Sequence, residues 1–420
     1  MSKFRLLRRR DDYYRHFTAL DIGTDLIKVL VVRREQDGSG TVLGVGRAPQ
    51  HPSAMSGGAI ADIDAVIDAA NGALEAAEDM AGTVPGQAIA GIAGELVKGF
   101  SSSVQSARER PDGKVDRGEM RELLKLVEKR ALREAQHLLE LDRGYGDLEA
   151  RLVHSSITQV RMDGYPVSTP IGFQGKNLDI TVFNTFAPMT QIGAIESVLK
   201  ELDLELAGAV AQPYALARAC AGKDAWEQGA IFVDIGGGTT DVALLREGGV
   251  EGTRMFNLGG RAFTRRLALA MGVTYEEAEA RKLRHSEGLL SPDQERQVRQ
   301  LVSADVEVLL QGLALCLRDL NRGQVLPTSI FVCGGGSLLP EVIQQLNQNA
   351  WSQGLPFSRP PQSRLLRPHD VMNLKDSTGE LQTARDVGPM GLANHALRVD
   401  AEDKDMVQSV MRGVLKAMKV

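Results

Sequence analysis

The apolar positions of this chain follow two alternating patterns, and together they predict an α/β protein. Short β-branched runs bounded by glycine predict strand–turn–strand segments at 17–33 and from residue 230, with further strands at 41–47, 88–93 and 329–332. Stripes of apolar residues at helical spacing predict helices at 62–80, 119–141, 189–202 and over most of 261–323. We therefore expect two α/β units, each with a sheet covered by helices.

The segment from 95 to 187 is more polar and charged than its surroundings, and it predicts an insertion. Residues 101–118 are polar and are interpreted as turn-rich, and the charged helix at 119–141 follows them. Strand-like runs at 152–162 and 178–186 come next, with a hairpin turn predicted at Asp163-Gly164. Later, the proline-rich stretch 356–368 predicts an irregular connection. The insertion is therefore expected to be a small helix-plus-sheet unit.

Composition narrows the class of protein. The 420 residues suggest two or three domains, and 49 basic against 54 acidic side chains argue against a nucleic-acid partner. Cys220, Cys316 and Cys333 lie far apart without a CxxC pair, which argues against a zinc site or a disulfide framework. No apolar run approaches the roughly 18 residues of a spanning helix, and the basic N-terminus lacks a signal-peptide core, so we expect a cytoplasmic chain.

One glycine-containing pattern occurs twice. In 21–29 and again in 234–242, an apolar strand leads to Asp-Ile-Gly, a turn of small residues and a second apolar strand. Glycine lets a phosphate approach backbone N–H groups, and an Asp at the strand end is placed to hold hydrated Mg²⁺. A third strand at 331–333 runs into three glycines at 334–336. The three segments predict a nucleotide site that is neither a Walker A loop nor a dinucleotide fingerprint.

The order and spacing of these segments resemble the phosphate 1, phosphate 2 and adenosine motifs of the actin-like ATPase superfamily. Within it the chain looks like the bacterial cell-division family FtsA, and the similarity runs from about residue 17 to 399. The similar segments are 43–46, 56–62, 76–82, 187–188, 212–217, 257–260 and 275–284. The insertion also lies where FtsA carries its own extra subdomain. The resemblance implies an α/β actin-like ATPase fold, with two duplicated lobes around a nucleotide cleft and an inserted FtsA-type subdomain.

The resemblance also implies a division of the chain. It runs as follows: a basic N-terminal extension at 1–16, a first lobe (1A) at 17–94, 188–228 and 388–399, an inserted subdomain (1C) at 95–187, a second lobe (2A) at 229–260 and 325–387, a subdomain 2B at 261–324, and a linker with a C-terminal amphipathic helix at 400–420.

ATP and Mg²⁺ are the cofactors that the resemblance implies. Asp21 and Asp234 would hold Mg²⁺ through water. Glu279 and Lys282 would reach the ribose and base, although their spacing of three residues equally allows a solvated ion pair. The other implied nucleotide-binding residues are Gly23, Thr24, Gly236, Gly237, Gly238, Thr239, Thr240, Gly259, Gly260, Gly334, Gly335, Gly336 and Ser337.

Catalysis is less clearly indicated than binding. Gln212 stands where many relatives carry a Glu, and glutamine is a much poorer base. No counterpart of the kinases' catalytic Asp stands out, so the catalytic residues stay unassigned. We therefore expect ATP binding with weak or no ATPase activity.

The last segment predicts an amphipathic helix with a basic polar face. Its apolar and basic residues are Met406, Val407, Val410, Met411, Arg412, Val414, Leu415, Lys416, Met418 and Lys419. Such a helix binds an anionic membrane surface or docks on the protein's own core. FtsA-like proteins typically end in a membrane-targeting helix. A basic cluster between Lys3 and Arg10 is interpreted as a second, weak membrane contact.

By resemblance, the chain is expected to self-associate into filaments and tether the FtsZ polymer to the cytoplasmic face of the membrane at the division site. The FtsZ tail would dock on 261–323, where Arg265, Arg266, Arg281, Lys282 and Arg284 are basic. The alternatives are the pilus-assembly ATP-binding protein PilM and, less favoured, a sugar or acid kinase of the same fold. A 70-kDa chaperone is not expected, because it would need a substrate domain after about residue 390, where only some thirty residues remain.

Overall fold

The computed structural model describes residues 15–141 and 150–402. The strands are β1 His16–Ile22, β2 Leu26–Arg34, β3 Gly40–Pro49, β4 Met55–Ser56, β5 Ala59–Ile60, β6 Gln87–Ile92, β7 Lys98–Ala107, β8 Ala150–Met162, β9 Tyr165–Pro166, β10 Asn177–Pro188, β11 Glu205–Ala211, β12 Ala230–Ile235, β13 Thr240–Arg246, β14 Gly249–Phe256, β15 Ser329–Cys333, β16 Gln362–Leu365 and β17 Leu374–Asp376. The helices are α1 Ile63–Ala81, α2 Arg117–Leu141, α3 Met189–Glu201, α4 Gln212–Cys220, α5 Lys223–Gln228, α6 Gly260–Met271, α7 Tyr275–Ser286, α8 Pro292–Leu320, α9 Pro340–Leu346 and α10 Val387–Glu402.

A six-stranded sheet forms the first lobe, in the order β11-β6-β1-β2-β3-β17. Successive side chains of a strand point to opposite faces, and β2 follows this rule closely. Ile27, Val29 and Val31 pack under α1 and α3, while Leu30 and Val32 belong to the core that contains α4 and α10. The predicted strands and helices of this lobe are therefore confirmed to within a few residues.

The second large sheet has nine strands, in the order β16-β15-β12-β13-β14-β7-β10-β8-β9. One face of β12 and β13 packs under α6, α8 and α9, and the other joins the core shared with the first sheet. Tyr214 of α4 and Met390 of α10 lie in that shared core together with Phe232 of β12. Both helices therefore pack between the two sheets and connect the lobes.

The inserted segment extends the sheet of the second lobe, although its chain leaves and re-enters the first lobe. The bridge is short: Gly252 and Thr253 of β14 pair with Phe100 and Gly99 of β7. Its helix α2 packs on β7, β8 and β10 through an apolar cluster that includes Met120 and Ile180. The predicted turn at 163–164 is confirmed, since the hairpin joins β8 to β9 there.

Three expectations differ from the structure. The polar stretch 101–118 is not turn-rich at its start, because 98–107 forms β7 between two partner strands. The segment 325–387, expected in the second lobe, contains β17, which pairs with β3 in the first sheet. The proline-rich stretch 356–368 contains the short strand β16 at its end, paired with β15.

Helix α8 also qualifies the expectation about membrane spans. By length and composition it is apolar enough to cross a membrane, with a mean hydropathy of 1.5 over an 18-residue window. One face of it, including Val302, Leu309 and Leu313, is buried in the core of the second lobe. In this fold α8 therefore acts as a core helix of the lobe.

Candidate functional site

The two similar sequence segments form two similar hairpins, β1–β2 and β12–β13. In the first, Asp21 pairs across the strands with Lys28, and in the second Asp234 pairs with Asp241. Each pair is separated by seven residues and sits where its hairpin begins to turn. The internal repeat of the sequence is thus a structural repeat with one charge reversed.

The four side chains of these pairs form one cluster of charges, in which Asp21 and Asp241 are buried and Lys28 and Asp234 are half-buried. Lys28 Nζ lies 3.2 Å from Asp21 Oδ2, and the Gln212 amide donates to the other oxygen of Asp21. Burial disfavours the charged form of Lys28, yet Asp21 and Asp234 together raise its pKa. Lys28 is the one basic side chain of the two pairs, against three carboxyls, so these pairs have acidic groups in excess.

Burial also acts on the carboxyls of the second hairpin. It raises the pKa of Asp234 to about 6, against the lowering effect of Lys28. It raises the pKa of Asp241 well above its usual range, and the neighbouring Asp234 and Asp21 add to this effect. The Cys333 thiol, at the end of β15, donates a hydrogen bond to Asp234. A cation placed beside these groups would favour their ionised forms.

The donor set fits Mg²⁺ held through water. Carboxylate oxygens are the ligands that Mg²⁺ prefers, and it usually keeps several of its waters. Among residues 15–141 and 150–402, no three His, Cys, Asp or Glu side chains come together closely enough to ligate an ion directly. Contact of Asp21 and Asp234 with such an ion through its waters stays a prediction.

The adenosine segment packs directly on the end of the second hairpin. A Cβ on Gly334 would lie 2.2 Å from Asp234 Oδ1, and one on Gly336 would lie 2.4 Å from Ile235 Cγ2. Gly334 also has a φ of +86°, which favours glycine. Ser337 is buried and donates to the Gly334 carbonyl at 2.7 Å, whereas a Cβ on Gly335 would meet open space. Close packing therefore requires glycine at 334 and 336, and not at 335.

The glycines that precede α6 pack on the same hairpin from another side. The backbone N–H of Gly260 donates to the Gly236 carbonyl at 2.9 Å. A Cβ on Gly259 would lie 2.6 Å from the same carbonyl oxygen. Thr240, on the far side of the turn, donates its hydroxyl to the Leu258 carbonyl at 2.7 Å. The start of α6 is thereby fixed against the second hairpin.

Glu279 and Lys282 form an ion pair in α7, with Lys282 Nζ 2.7 Å from Glu279 Oε2. The side chain of Lys282 is only 9% exposed and also donates to the Gly260 carbonyl and the Thr264 hydroxyl. The pair therefore helps to hold α7 against the start of α6. The two side chains do pair, but Lys282 is buried and not solvated as the ion-pair alternative expected, and contact with a ribose or base stays a prediction.

The tips of the two hairpins touch each other. A Cβ on Gly237 would lie 2.5 Å from Asp25 Cγ, and one on Gly238 would lie 2.7 Å from Thr24 Cγ2. Gly23 is also tight, since its Cβ would lie 2.6 Å from the Leu26 carbonyl oxygen. The predicted phosphate-binding residues are thus brought together from both lobes.

Four charged residues of this site were not assigned a role from the sequence: Asp25, Lys28, Asp241 and Arg261. Asp241 was detectable, because it has the same seven-residue spacing from Asp234 that Lys28 has from Asp21. Asp25 and Arg261, whose side chains form an ion pair, are 236 residues apart and carry no such signal. The predicted membrane-binding residues, Met406 to Lys419, lie outside the described residues.

The chain is similar to known proteins in both sequence and fold. A family model described as "Cell division protein FtsA" matches residues 231–378. The cell division protein FtsA of Neisseria meningitidis serogroup B is 25% identical over 352 residues, which cover 79% of this chain and 80% of that protein. The FtsA of Pseudomonas aeruginosa is 27% identical over 270 residues, or 64% and 60% of the two chains.

Among solved structures, a chain of the PilM–PilN type IV pilus biogenesis complex superposes with a TM-score of 0.65. The two chains are 17% identical, and the match covers 90% of this chain and 98% of the other. At this identity the similarity shows a shared fold. The predicted actin-like ATPase fold is confirmed.

Proposed function

Because this chain is a relative of the cell-division protein FtsA, we propose that it is an actin-like protein of bacterial cell division. It binds ATP, self-associates and tethers the FtsZ polymer to the cytoplasmic face of the membrane. One observation carries the nucleotide part of the proposal. The two Asp-Ile-Gly hairpins and the adenosine segment, remote in sequence, meet at one largely buried acidic cluster.

The nucleotide would bind between the hairpins. Backbone N–H groups at 23–24 and 236–240 would receive the phosphates, and Asp21 and Asp234 would hold Mg²⁺ through water. The ion would supply positive charge that balances the phosphates beside the acidic cluster. Gln212 is hydrogen-bonded to Asp21 and can orient a water without accepting its proton, which favours binding over turnover.

A basic surface on α6 and α7 supports the proposed contact with the acidic FtsZ tail. Arg265, Arg266 and Arg284 are exposed, and Leu269 among them is 85% exposed. Leu269 follows Arg265 and Arg266 by four and three residues on the same helix, and an exposed apolar side chain beside arginines suits an acidic peptide with an apolar residue. Lys282 is excluded from this surface because it is buried and paired with Glu279.

The membrane part of the proposal rests on the amphipathic segment at 406–420 and its basic flank. It is tested by co-pelleting the full-length protein with anionic liposomes in the presence of ATP and Mg²⁺. We expect the full chain to pellet and a truncation after Asp405 to stay in solution. A matched pair sharpens the test: Met411→Glu, on the apolar face, should abolish pelleting, whereas Ser409→Glu, on the polar face, should weaken it only slightly.

The alternatives give different results in the same experiment. If full-length and truncated proteins both stay in solution while ATP still binds, the tail docks on the protein and the tether is wrong. PilM, whose fold the chain shares, then becomes the better interpretation. If the protein transfers phosphate from ATP to sugars or acids, the kinase interpretation replaces both.

The proposed FtsZ contact is tested by binding of a labelled FtsZ C-terminal peptide. The variant Arg265→Glu/Arg266→Glu should weaken binding at least about tenfold, because attraction becomes repulsion at two exposed sites. A control, Arg296→Glu, changes an exposed arginine whose ion pair lies within α8 itself. Equal binding by all three proteins would place the peptide elsewhere.

A further inference from the structure

The outer surface of α2, in the inserted segment, carries a row of like charges. Five basic residues recur at four-residue intervals along this helix, and all five are exposed: Arg117, Arg121, Lys125, Lys129 and Arg133. An α-helix rises about 1.5 Å per residue, so the row is about 24 Å long. We call these five residues the basic ridge.

Acidic side chains do little to balance the basic ridge. Lys125 donates to Glu122 at 2.8 Å and lowers the pKa of that carboxyl, and the charges of Arg121 and Lys129 add to the effect. The other acidic residues between 117 and 137 are buried or paired elsewhere, namely Glu119, Glu128 and Glu134. Residues four apart are neighbours on a helix, and like charges at this spacing destabilise it. The ridge therefore costs the helix stability, and an anionic partner would remove that cost.

Helix α1, in the first lobe, carries the opposite charge. It contains no Lys or Arg, and its buried side packs on β2 and β3. At about 100° per residue, four acidic residues fall within about 60° of one another, away from that buried side: Asp64, Asp68, Glu75 and Asp79. The three aspartates are exposed, and the row is about 22 Å long. We call these four residues the acidic ridge.

The two ridges are complementary in charge and similar in length. They lie on helices that pack on different parts of the molecule, α1 on β2 and β3 and α2 on β7, β8 and β10. Each ridge has an exposed apolar side chain at its edge, Leu126 at 54% and Met80 at 48%, as contacts between protein surfaces commonly do. An anionic membrane would match the basic ridge and leave the acidic ridge without a partner. A second copy of the chain matches both.

We propose that the basic ridge of one copy binds the acidic ridge of the next copy. The contact joins two different surfaces, so each row of copies keeps a free acidic ridge at one end and a free basic ridge at the other. Such a contact extends into an open chain of copies unless its rotation closes a ring. The inference rests on the self-association in the proposed function, and it names the surfaces that carry it.

Charge reversal on the full-length protein tests the contact, with self-association measured by sedimentation velocity in ATP and Mg²⁺. One variant reverses the basic ridge by Arg121→Glu/Lys125→Glu/Lys129→Glu/Arg133→Glu, and the other reverses the acidic ridge by Asp64→Lys/Asp68→Lys/Asp79→Lys. Each variant alone should self-associate at least about tenfold more weakly than wild type, because attraction becomes repulsion. Mixed in equal amounts, the two variants should associate within about threefold of wild type, since every ridge then meets one of opposite charge.

Two controls separate the contact from a folding defect and from a change in net charge. Combining both reversals in one chain should restore self-association, which a folding defect would not allow. The variant Lys223→Glu/Arg296→Glu changes two exposed residues whose ion pairs lie within α5 and within α8, and it should associate like wild type. Because both ridges are exposed, raising NaCl from about 50 mM to about 300 mM should weaken the self-association of wild type.

The results distinguish failure of this contact from failure of the proposed function. Reversed variants that associate as strongly as wild type would place the contact on other surfaces and leave the proposed function standing. Weakened variants that neither mixing nor combination restores would show that the ridges do not face each other. A reversed basic ridge that loses anionic liposomes but keeps self-association would assign this ridge to the membrane and overturn the inference. Wild type that stays monomeric at every concentration, with and without ATP, would reject the proposed self-association itself.

Discussion

His285 offers the sharpest test of how the second lobe is held together. Its ring lies fully buried in α7, with Nδ1 3.0 Å from Glu295 Oε2 of α8 and Nε2 3.0 Å from Glu341 Oε1 of α9. Arg299 of α8 completes the cluster, 2.8 Å from Glu295 and 3.7 Å from Glu341. Because carboxylates only accept hydrogen bonds, both ring nitrogens must donate, and the folded protein holds the imidazolium form.

The pH dependence of this cluster follows from the pKa of His285. The hydrogen bond to Glu341, with support from Glu295, raises the pKa of His285 above its ordinary value near 6.5, although burial opposes the shift. A raised pKa in the folded state favours folding at low pH. The stabilisation is complete below the unfolded pKa, and it is lost as pH rises through the raised folded pKa.

The perturbation is His285→Gln, which cannot carry the charge. Glu341 is 2% exposed and would remain buried without its cationic hydrogen-bond partner. Removing one partner of a buried ion pair costs about 3 to 5 kcal/mol, and the remaining amide hydrogen bond places the expected loss at the low end. We therefore expect a loss of about 3 kcal/mol in the free energy of unfolding at about pH 6, shrinking toward about pH 9.

Urea unfolding followed by tryptophan fluorescence measures the free energy of unfolding of the second lobe, where the His285 cluster lies. In a Trp226→Phe background, Trp351 remains, and its indole is packed against Phe357 in the core of the second lobe. His369→Gln, at an exposed histidine, serves as the control. A stability difference between wild type and His285→Gln that is constant or grows with pH would refute the imidazolium assignment.

Three further predictions concern single sites, each measured by urea unfolding. Lys28→Met leaves the buried Asp21 without its ammonium partner and should lower the free energy of unfolding by about 3 to 5 kcal/mol. An unchanged free energy of unfolding would contradict the ion pair. Burial raises the pKa of Glu128 to about 7, and neither carboxylate oxygen has a hydrogen-bond partner within 15–141 and 150–402. Glu128→Gln should therefore raise the free energy of unfolding by about 1 to 3 kcal/mol at about pH 8. This gain should fall as pH drops below 7, and a gain independent of pH would contradict the raised pKa. A Cβ on Gly46 would lie 1.7 Å from the Ala73 carbonyl oxygen of α1. Gly46→Ala should lower the free energy of unfolding by more than about 2 kcal/mol. The control Gly72→Ala, where a Cβ meets open space on α1, should raise the free energy of unfolding by about 1 kcal/mol. Similar effects of the two substitutions would refute the close packing of α1 on β3.

Elements with a strong apolar pattern were predictable from the sequence, and β7 shows where prediction ends. β1, β2 and α1 carry their burial in their own periodicity, so their boundaries agree within a few residues. β7 contains the serine-rich run 101–103 and has no such pattern. It is a strand because β10 pairs along its length and β14 pairs at its start. Partners brought from distant parts of the chain decide its structure, and local sequence does not contain that information.

The candidate site also has a part that was predictable from the sequence and a part that was not. The hairpins and glycine segments were predictable because the chain repeats them and because tight turns require glycine. The pair of Arg261 and Asp25 was not, since its members come from different lobes and neither position has a special residue type or spacing. Contacts within one hairpin follow from the sequence, whereas contacts across the cleft depend on how the lobes are placed.

The charge reversal between the two hairpins has a physical reason. Had the first hairpin carried an acidic residue at position 28, four carboxyls would meet in one largely buried cluster, and most would have to bind protons to remain there. Lys28 removes one negative charge and adds a positive one at the position that corresponds to Asp241 in the repeat. The cluster then has less net negative charge and still has carboxylate oxygens to offer a cation. An exact repeat of the second hairpin would bring a fourth carboxyl to the cluster, so the difference at this position lowers the cost of burying the group.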